Sequence, residues 1–246
     1  MSTLTQKVAL VTGGSRGIGA AIAKRLAKDG ASVAITYAKD DKAASAVVKA
    51  IERDGGKAVA IQADAADVEA VKSAVERTVT TFGRLDVLVN SAGTAIPKPF
   101  EEATQEEMDR VININLRGVL ATTQAALKHM KSGGRVIMIG SAVGERAVAP
   151  GLVPYAATKG AVKMFTQALS REVGSRGITV NNVQPGPIDT DLNPASGDWA
   201  VPQKAATALD RYGRVDEIAA MVAFVAGPEA SYITGANLTV DGGMNA

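Results

Sequence analysis

The feature that most constrains this chain is a rhythm. Short, unbroken apolar runs are separated by stretches of helical periodicity. Strand-length runs occur at Lys7–Thr12, Ser32–Tyr37, Lys57–Gln62, Asp86–Asn90, Arg135–Gly140, Ile178–Gln184 and Asn237–Val240. They do not alternate apolar with polar residues, so both faces of each strand are expected to be buried. Helical patterns fall between them, at about Gly17–Lys28, Lys42–Arg53, Asp67–Phe82, Thr104–Met130, Pro154–Val173 and Asp216–Val225. Gly30, Gly55-Gly56 and Gly83 follow three of these as stop signals, and Thr104 with Glu107 has the spacing of a capping box. Strand–helix alternation with right-handed crossovers predicts an α/β protein. The expected form is a doubly wound, seven-stranded parallel sheet flanked by helices. No repeat or composition break divides the chain, so residues 1–246 read as one domain. The one long irregular stretch, about 186–207, reads as a substrate loop.

Composition removes several function classes. The chain has no cysteine and one histidine, His129, which excludes thiolate metal sites and His-rich ones, so no metal is expected. His129 stands near a helix end, where a cation suits the dipole. Glu101, Glu102, Glu106 and Glu107 surround a helix start, which suits the opposite end of the dipole. The 27 Lys and Arg nearly balance the 25 Asp and Glu, so no nucleic-acid groove is expected. No signal-like segment and no run of about 18 apolar residues is present, so a cytoplasmic protein off the membrane is expected.

Between the first strand and first helix stands Thr12-Gly13-Gly14-Ser15-Arg16-Gly17-Ile18-Gly19. Glycines there let the backbone approach a pyrophosphate, and the helix N-terminus offers free N–H groups. A triphosphate-binding P-loop would continue with Lys and Ser or Thr, but Ala20 and Ala21 follow. The turn therefore points to a dinucleotide on a Rossmann-type sheet. An NAD site usually places an acid about 20 residues downstream. Here the second strand ends Thr36-Tyr37-Ala38-Lys39, and Asp40 and Asp41 come only afterwards. Arg16 and Lys39 suit a 2′-phosphate, so NADPH/NADP+ is expected over NADH.

Tyr155 and Lys159 are four residues apart, on one face of a helix. A phenol is a poor acid–base catalyst at neutral pH, and a neighbouring ammonium favours its ionised form. Ser141 follows the fifth strand at the ligand edge, where its hydroxyl can bond a carbonyl oxygen.

With TGGSRGIG, YxxxK, Asn90-Ser91-Ala92-Gly93, Asn115 in NINLRG, Pro185-Gly186 and Asp241-Gly242-Gly243, the chain resembles the short-chain dehydrogenase/reductase family nearly end to end. The β-ketoacyl-ACP reductase-like subgroup is the most similar in appearance. Two departures stand out. Ser91 replaces a second Asn, and Ser141 lies fourteen residues before Tyr155, one more than in close relatives. The resemblance implies that Tyr155 is the general acid–base and that Lys159 lowers its pKa while holding the nicotinamide ribose. It implies that Ser141 polarises the carbonyl and that Asn115 supports a water-linked proton path. Asp64, beside Ala65, would accept from the adenine amino group. Asn90, Ala92 and Gly93 would line the adenosine ribose and phosphates. Pro185, Gly186, Ile188 and Thr190 would lie by the nicotinamide, Ile188 and Thr190 at its carboxamide.

The substrate pocket is expected from Ile96, Val143, Leu152, Val153 and a loop carrying Leu192, Trp199 and Val201. These side chains are mostly apolar and predict a small carbonyl or alcohol substrate with an apolar body. Trp199 reads equally as a lid contact or a loop anchor. A 3-oxoacyl-[acyl-carrier-protein] reductase is the alternative. Its acidic carrier would want basic residues near the cleft, and Lys128, Lys131 and Arg176 are candidates unless they are ordinary solvated charges. A non-catalytic cofactor-sensing protein is a third reading. The resemblance implies a homotetramer joined through the helices around 104–130 and 154–173.

Overall fold

The computed structural model describes residues 3–147 and 149–246. Its strands are β1 (Val8–Val11), β2 (Ser32–Tyr37), β3 (Lys57–Gln62), β4 (Val87–Asn90), β5 (Arg135–Ile139), β6 (Thr179–Pro185) and β7 (Asn237–Val240). They form one sheet in the order β3-β2-β1-β4-β5-β6-β7, and every pairing is parallel.

The unbroken apolar runs have the cause inferred for them. Alternate residues of each central strand enter two separate cores, one on each face of the sheet. Ala9, Val11, Val87, Val89, Ile137 and Ile139 join one. Leu10, Leu88, Val136 and Met138 join the other. Helices α1 (Gly17–Lys28), α2 (Asp41–Arg53) and α8 (Val215–Ala226) close the first core. Helices α3 (Val68–Phe82), α5 (Gly118–Leu127) and α6 (Val153–Val173) close the second. The edge strands differ: β3 and β7 are largely half-exposed, because each has a neighbour on one side only.

Two elements depart from the sequence reading. The expected helix over Thr104–Met130 is three pieces: α4 (Gln105–Ile112), a π-helical turn at Asn113–Arg117, and α5. The capping box at Thr104 and Glu107 is present. A single π turn inside an α-helix shifts the apolar stripe by one position and leaves both flanks helical in pattern, so a coarse reading runs straight through it. The segment at 186–207 contains a short helix, α7 (Ala200–Ala205), whose Pro202 hides it from propensity.

In this strand order the chain reverses direction between β1 and β4. A crevice opens there, beyond the carboxyl ends of the strands, and this is where ligands of such sheets bind.

Candidate active site

The cleft at that switch point has a volume of about 580 Å³. At one end is the glycine turn. Gly13 and Gly17 have φ of +64° and +53°, which side-chain-bearing residues adopt reluctantly. A Cβ on Gly13 would stand 2.8 Å from Ala92 Cα, so this glycine lets the turn lie against the loop after β4. Thr12 ties the two together. Its Oγ1 accepts from the N–H groups of Ser91 (3.0 Å) and Ala92 (3.1 Å). Thr36 Oγ1 accepts from Gly13 N–H at 3.1 Å. Helix α1 begins with no side-chain cap, which leaves its first N–H groups for a ligand.

Most of the expected cofactor residues line this cleft: Gly13, Ser15 to Gly19, Tyr37, Ala38, Asp64, Ala65, Ala92, Gly93, Pro185, Gly186, Ile188 and Thr190. Two do not. Asn90 is buried, and its amide donates to Thr123 Oγ1 at 2.9 Å and to Met138 Sδ at 3.3 Å. In a strand buried on both faces, polarity does not say which way a side chain turns. Lys39 is exposed and lies outside the lining. Asp64 does line the cleft while serving the local turn. Its Oδ1 accepts from Ala66 N–H at 3.0 Å and its Oδ2 faces Arg110 at 3.5 Å. Asp40 caps α2, accepting from Ala43 N–H at 2.9 Å.

At the other end stand Ser141, Tyr155 and Lys159. Ser141 begins a 3-10 turn after β5, and its Oγ accepts from Val143 N–H at 3.2 Å. The same hydroxyl faces the Tyr155 phenol and favours its ionised form. Tyr155 and Lys159 share one face of α6, with Lys159 Nζ 5.5 Å from the ring centroid. Burial pushes the Tyr155 phenol above its ordinary pKa of 10, and the bond to Ser141 pulls it back down. Burial lowers Lys159 to about 8. Lys159 Nζ donates to the carbonyl of Ile139 at 2.7 Å, so the main chain at the end of β5 holds it. In this arrangement desolvation dominates the phenol, and the Ser141 hydroxyl opposes it.

Asn115 lies in the π turn, 1% exposed. Its Oδ1 accepts from Thr94 N–H, and its Nδ2 donates to Thr94 O, both at 2.9 Å. Nδ2 also reaches Thr158 Oγ1 at 3.2 Å, on the helix that carries Tyr155. A Cβ on Gly93 would lie 3.6 Å from Asn115 Oδ1 and 3.8 Å from Lys159 Nζ. That glycine keeps the space between the two polar groups open.

The cleft and these three side chains invite comparison with known proteins. The family model described as Enoyl-(Acyl carrier protein) reductase matches residues 13–245. A solved short chain dehydrogenase from Burkholderia cenocepacia, in complex with NADP, is 52% identical and superposes with a TM-score of 0.98. That match covers 99% of this chain and 100% of the other. The chain belongs to the short-chain dehydrogenase/reductase family. Among relatives in this family, the 3-oxoacyl-[acyl-carrier-protein] reductase of Synechocystis sp. is 42% identical over 247 residues, 99% of each chain. The cyclic-di-GMP-binding biofilm dispersal mediator protein of Escherichia coli is 42% identical over 246 residues, all of both chains.

The substrate wall needs correction. Val143, Leu152, Leu192 and Trp199 line the cleft, but Ile96, Val153 and Val201 do not. Val153 and Val201 are 50% and 77% exposed. In irregular segments no periodicity tells which neighbour faces inward. Trp199 is half-exposed at the start of α7. Three polar residues pin that segment: Gln203 Oε1 accepts from Asn193 Nδ2 at 2.7 Å and from Tyr212 OH at 3.0 Å.

The basic residues considered for carrier docking also fall elsewhere. Lys128 and Lys131 precede β5, and Arg176 precedes β6, so all three sit at the edge where strands begin, opposite the cleft. Arg176 donates to the carbonyls of Leu127 (2.6 Å) and Met130 (3.1 Å), closing the end of α5. His129 pairs with Glu76 of α3 at 2.8 Å.

Proposed function

We propose that this chain is an NADPH-dependent carbonyl reductase that interconverts ketones or aldehydes with alcohols in the cytoplasm. The observation that carries the proposal is the gathering of Ser141, Tyr155 and a buried Lys159 at one end of a cleft whose other end is a glycine turn.

The cleft fits a dinucleotide. A Cβ at Gly13 would force the turn away from Ala92 in the loop after β4. Gly17, Gly19 and the start of α1 would hold the pyrophosphate, and Tyr37, Ala38, Asp64 and Ala65 the adenosine end. Lys159 would hold the nicotinamide ribose. When bound, the dihydronicotinamide supplies the hydride. The chain supplies the rest. Ser141 donates to the carbonyl oxygen and orients it. Tyr155, protonated at neutral pH, delivers a proton to the same oxygen as charge develops there. The Lys159 ammonium then favours the phenolate left behind. Asn115 lies across the open space beside Gly93, where water would link Lys159 to solvent.

Preference for NADPH rests on Arg16, which lines the cleft with its side chain 68% exposed and only a 3.8 Å contact to Asp191. It rests also on Asp40, whose carboxylate is occupied in capping α2. Arg16→Ala should raise the KM for NADPH about tenfold and leave that for NADH unchanged. Equal effects on both cofactors would contradict the assignment.

Reduction of a 3-oxoacyl group on acyl carrier protein is the second reading, favoured by the likeness to the Synechocystis enzyme. A binding protein without turnover is disfavoured by the intact Ser141, Tyr155 and Lys159 set. Mixing the protein with NADPH or NADH and a ketone panel that includes an acetoacetyl thioester separates these readings. Loss of NADPH absorbance with simple ketones is expected. Turnover of the thioester alone favours the second reading, and no turnover with any member contradicts both.

A homotetramer is part of the same proposal. Ile112, Leu120 and Met164, on α4, α5 and α6, are 43%, 40% and 61% exposed, apolar surface that a partner copy would cover. Sedimentation as a monomer at micromolar concentration would contradict it.

A further inference from the structure

The segment that follows β7, Asp241–Ala246, reaches three walls of the cleft. Gly242 and Gly243 have φ of +66° and +81° and fold the chain back after the strand. A Cβ on Gly186 would stand 2.6 Å from Asp241 Cα, so the segment lies against the loop that leaves β6. Gly242 O accepts from Leu209 N–H at 3.1 Å, and a Cβ on Gly243 would stand 2.8 Å from Ala208 Cβ, just beyond α7. Asn245 Nδ2 donates to Ala142 O at 2.9 Å, inside the turn that Ser141 begins. Asp241 stiffens the whole, accepting from Gly243 N–H (2.9 Å) and Asn245 N–H (3.0 Å).

Met244 is thus set between the Ser141 turn and the end of α7. It is 8% exposed and lines the cleft. Behind it is a second hollow, lined in part by Arg146, Ala147, Ala205 and Thr207. Met244 and Ala206 border both spaces. Met244 therefore stands, with Ala206, between the substrate end of the cleft and a solvent-open hollow beyond it.

We infer that Met244 is a specificity-determining residue, whose side chain sets how long an apolar tail the carbonyl substrate can carry. The inference rests on the reductase reading above. Methionine bends to fit, but its removal would join the two spaces, and a rigid ring in its place would close the partition. A hydrophobic pocket discriminates by tens of fold for a change of this size.

The test compares butanone with benzylacetone, which present the same methyl ketone with different tails. Met244→Ala should raise the kcat/KM ratio of benzylacetone to butanone about tenfold, and Met244→Phe should lower it about tenfold. Met244→Phe carries the comparison should the alanine variant fail to fold, and Met244→Leu, close in volume, should leave the ratio within about twofold of the parent. A parent enzyme that reduces both ketones, with a ratio unmoved within about twofold in the Ala and Phe variants, overturns the inference alone. A parent that reduces neither overturns the reductase reading, and the inference with it.

Discussion

Tyr155→Phe should bind NADPH as the parent does and reduce ketones about a thousandfold more slowly. The substitution removes one oxygen. That oxygen faces the Ser141 side chain at the cleft wall, and the ring remains on α6 with Lys159 Nζ 5.5 Å from its centroid. A positioned general acid is worth roughly two to four orders of magnitude, so the expected loss lies in kcat and not in cofactor affinity. Fluorescence titration with NADPH and single-turnover measurement separate the two. A variant that keeps turnover within tenfold of the parent would show that the proton comes from elsewhere.

Lys159→Met should also abolish reduction, yet make the protein more stable at neutral pH. Lys159 is 6% exposed, and burial lowers it from 10.5 to about 8. Between those values the unfolded chain holds a proton that the folded one has released, so stability rises with pH across the window from about 8 to 10.5. Below about pH 8 the lysine is charged in both states, and the fold carries the full cost of burying that charge. At about 1.4 kcal/mol per pH unit this is about 3 kcal/mol. Losing the bond to Ile139 O offsets about 1 kcal/mol of the relief. A net gain of about 2 kcal/mol predicts a melting temperature roughly 4–8 °C higher at pH 7. The gain should shrink as pH rises from about 8 to 10.5, above which the amine is neutral in both states. A variant less stable than the parent at pH 7 would mean that the lysine contributes more through contacts than it costs through desolvation. The same titration sets the pH dependence of activity: reduction should fall above about pH 8, as the amine that favours the phenolate loses its charge.

These two residues show how much of the molecule its sequence makes legible. The parallel sheet was readable because burial on both faces removes alternation, and Leu10 and Val11 do point into opposite cores. The glycine turn and the Tyr155–Lys159 pair were readable because spacing on a strand–turn–helix or on one helix face dictates geometry. What stayed hidden depends on side-chain direction or on contacts distant in sequence. Asn90 turns into the core, not the cleft. The π turn that presents Asn115 lies between two stretches that are both helical, so nothing in the sequence marks it off. Arg176 looks like a free surface cation until the carbonyls of Leu127 and Met130 are seen beneath it. Thr12 and Met244 carried no signal of their own. Thr12 is a strand-end residue until two N–H groups from the loop after β4 are found on its hydroxyl. Met244 stands more than a hundred residues from the Ser141 turn it helps to wall.

The most direct test is a crystal structure with NADP+ and an unreactive ketone analogue bound. The account predicts the analogue's oxygen within about 2.6–3.2 Å of both the Tyr155 and Ser141 hydroxyls, on the side of the nicotinamide ring that transfers hydride. A complex in which the phenol points to bulk solvent, with the analogue held by other groups, would contradict it.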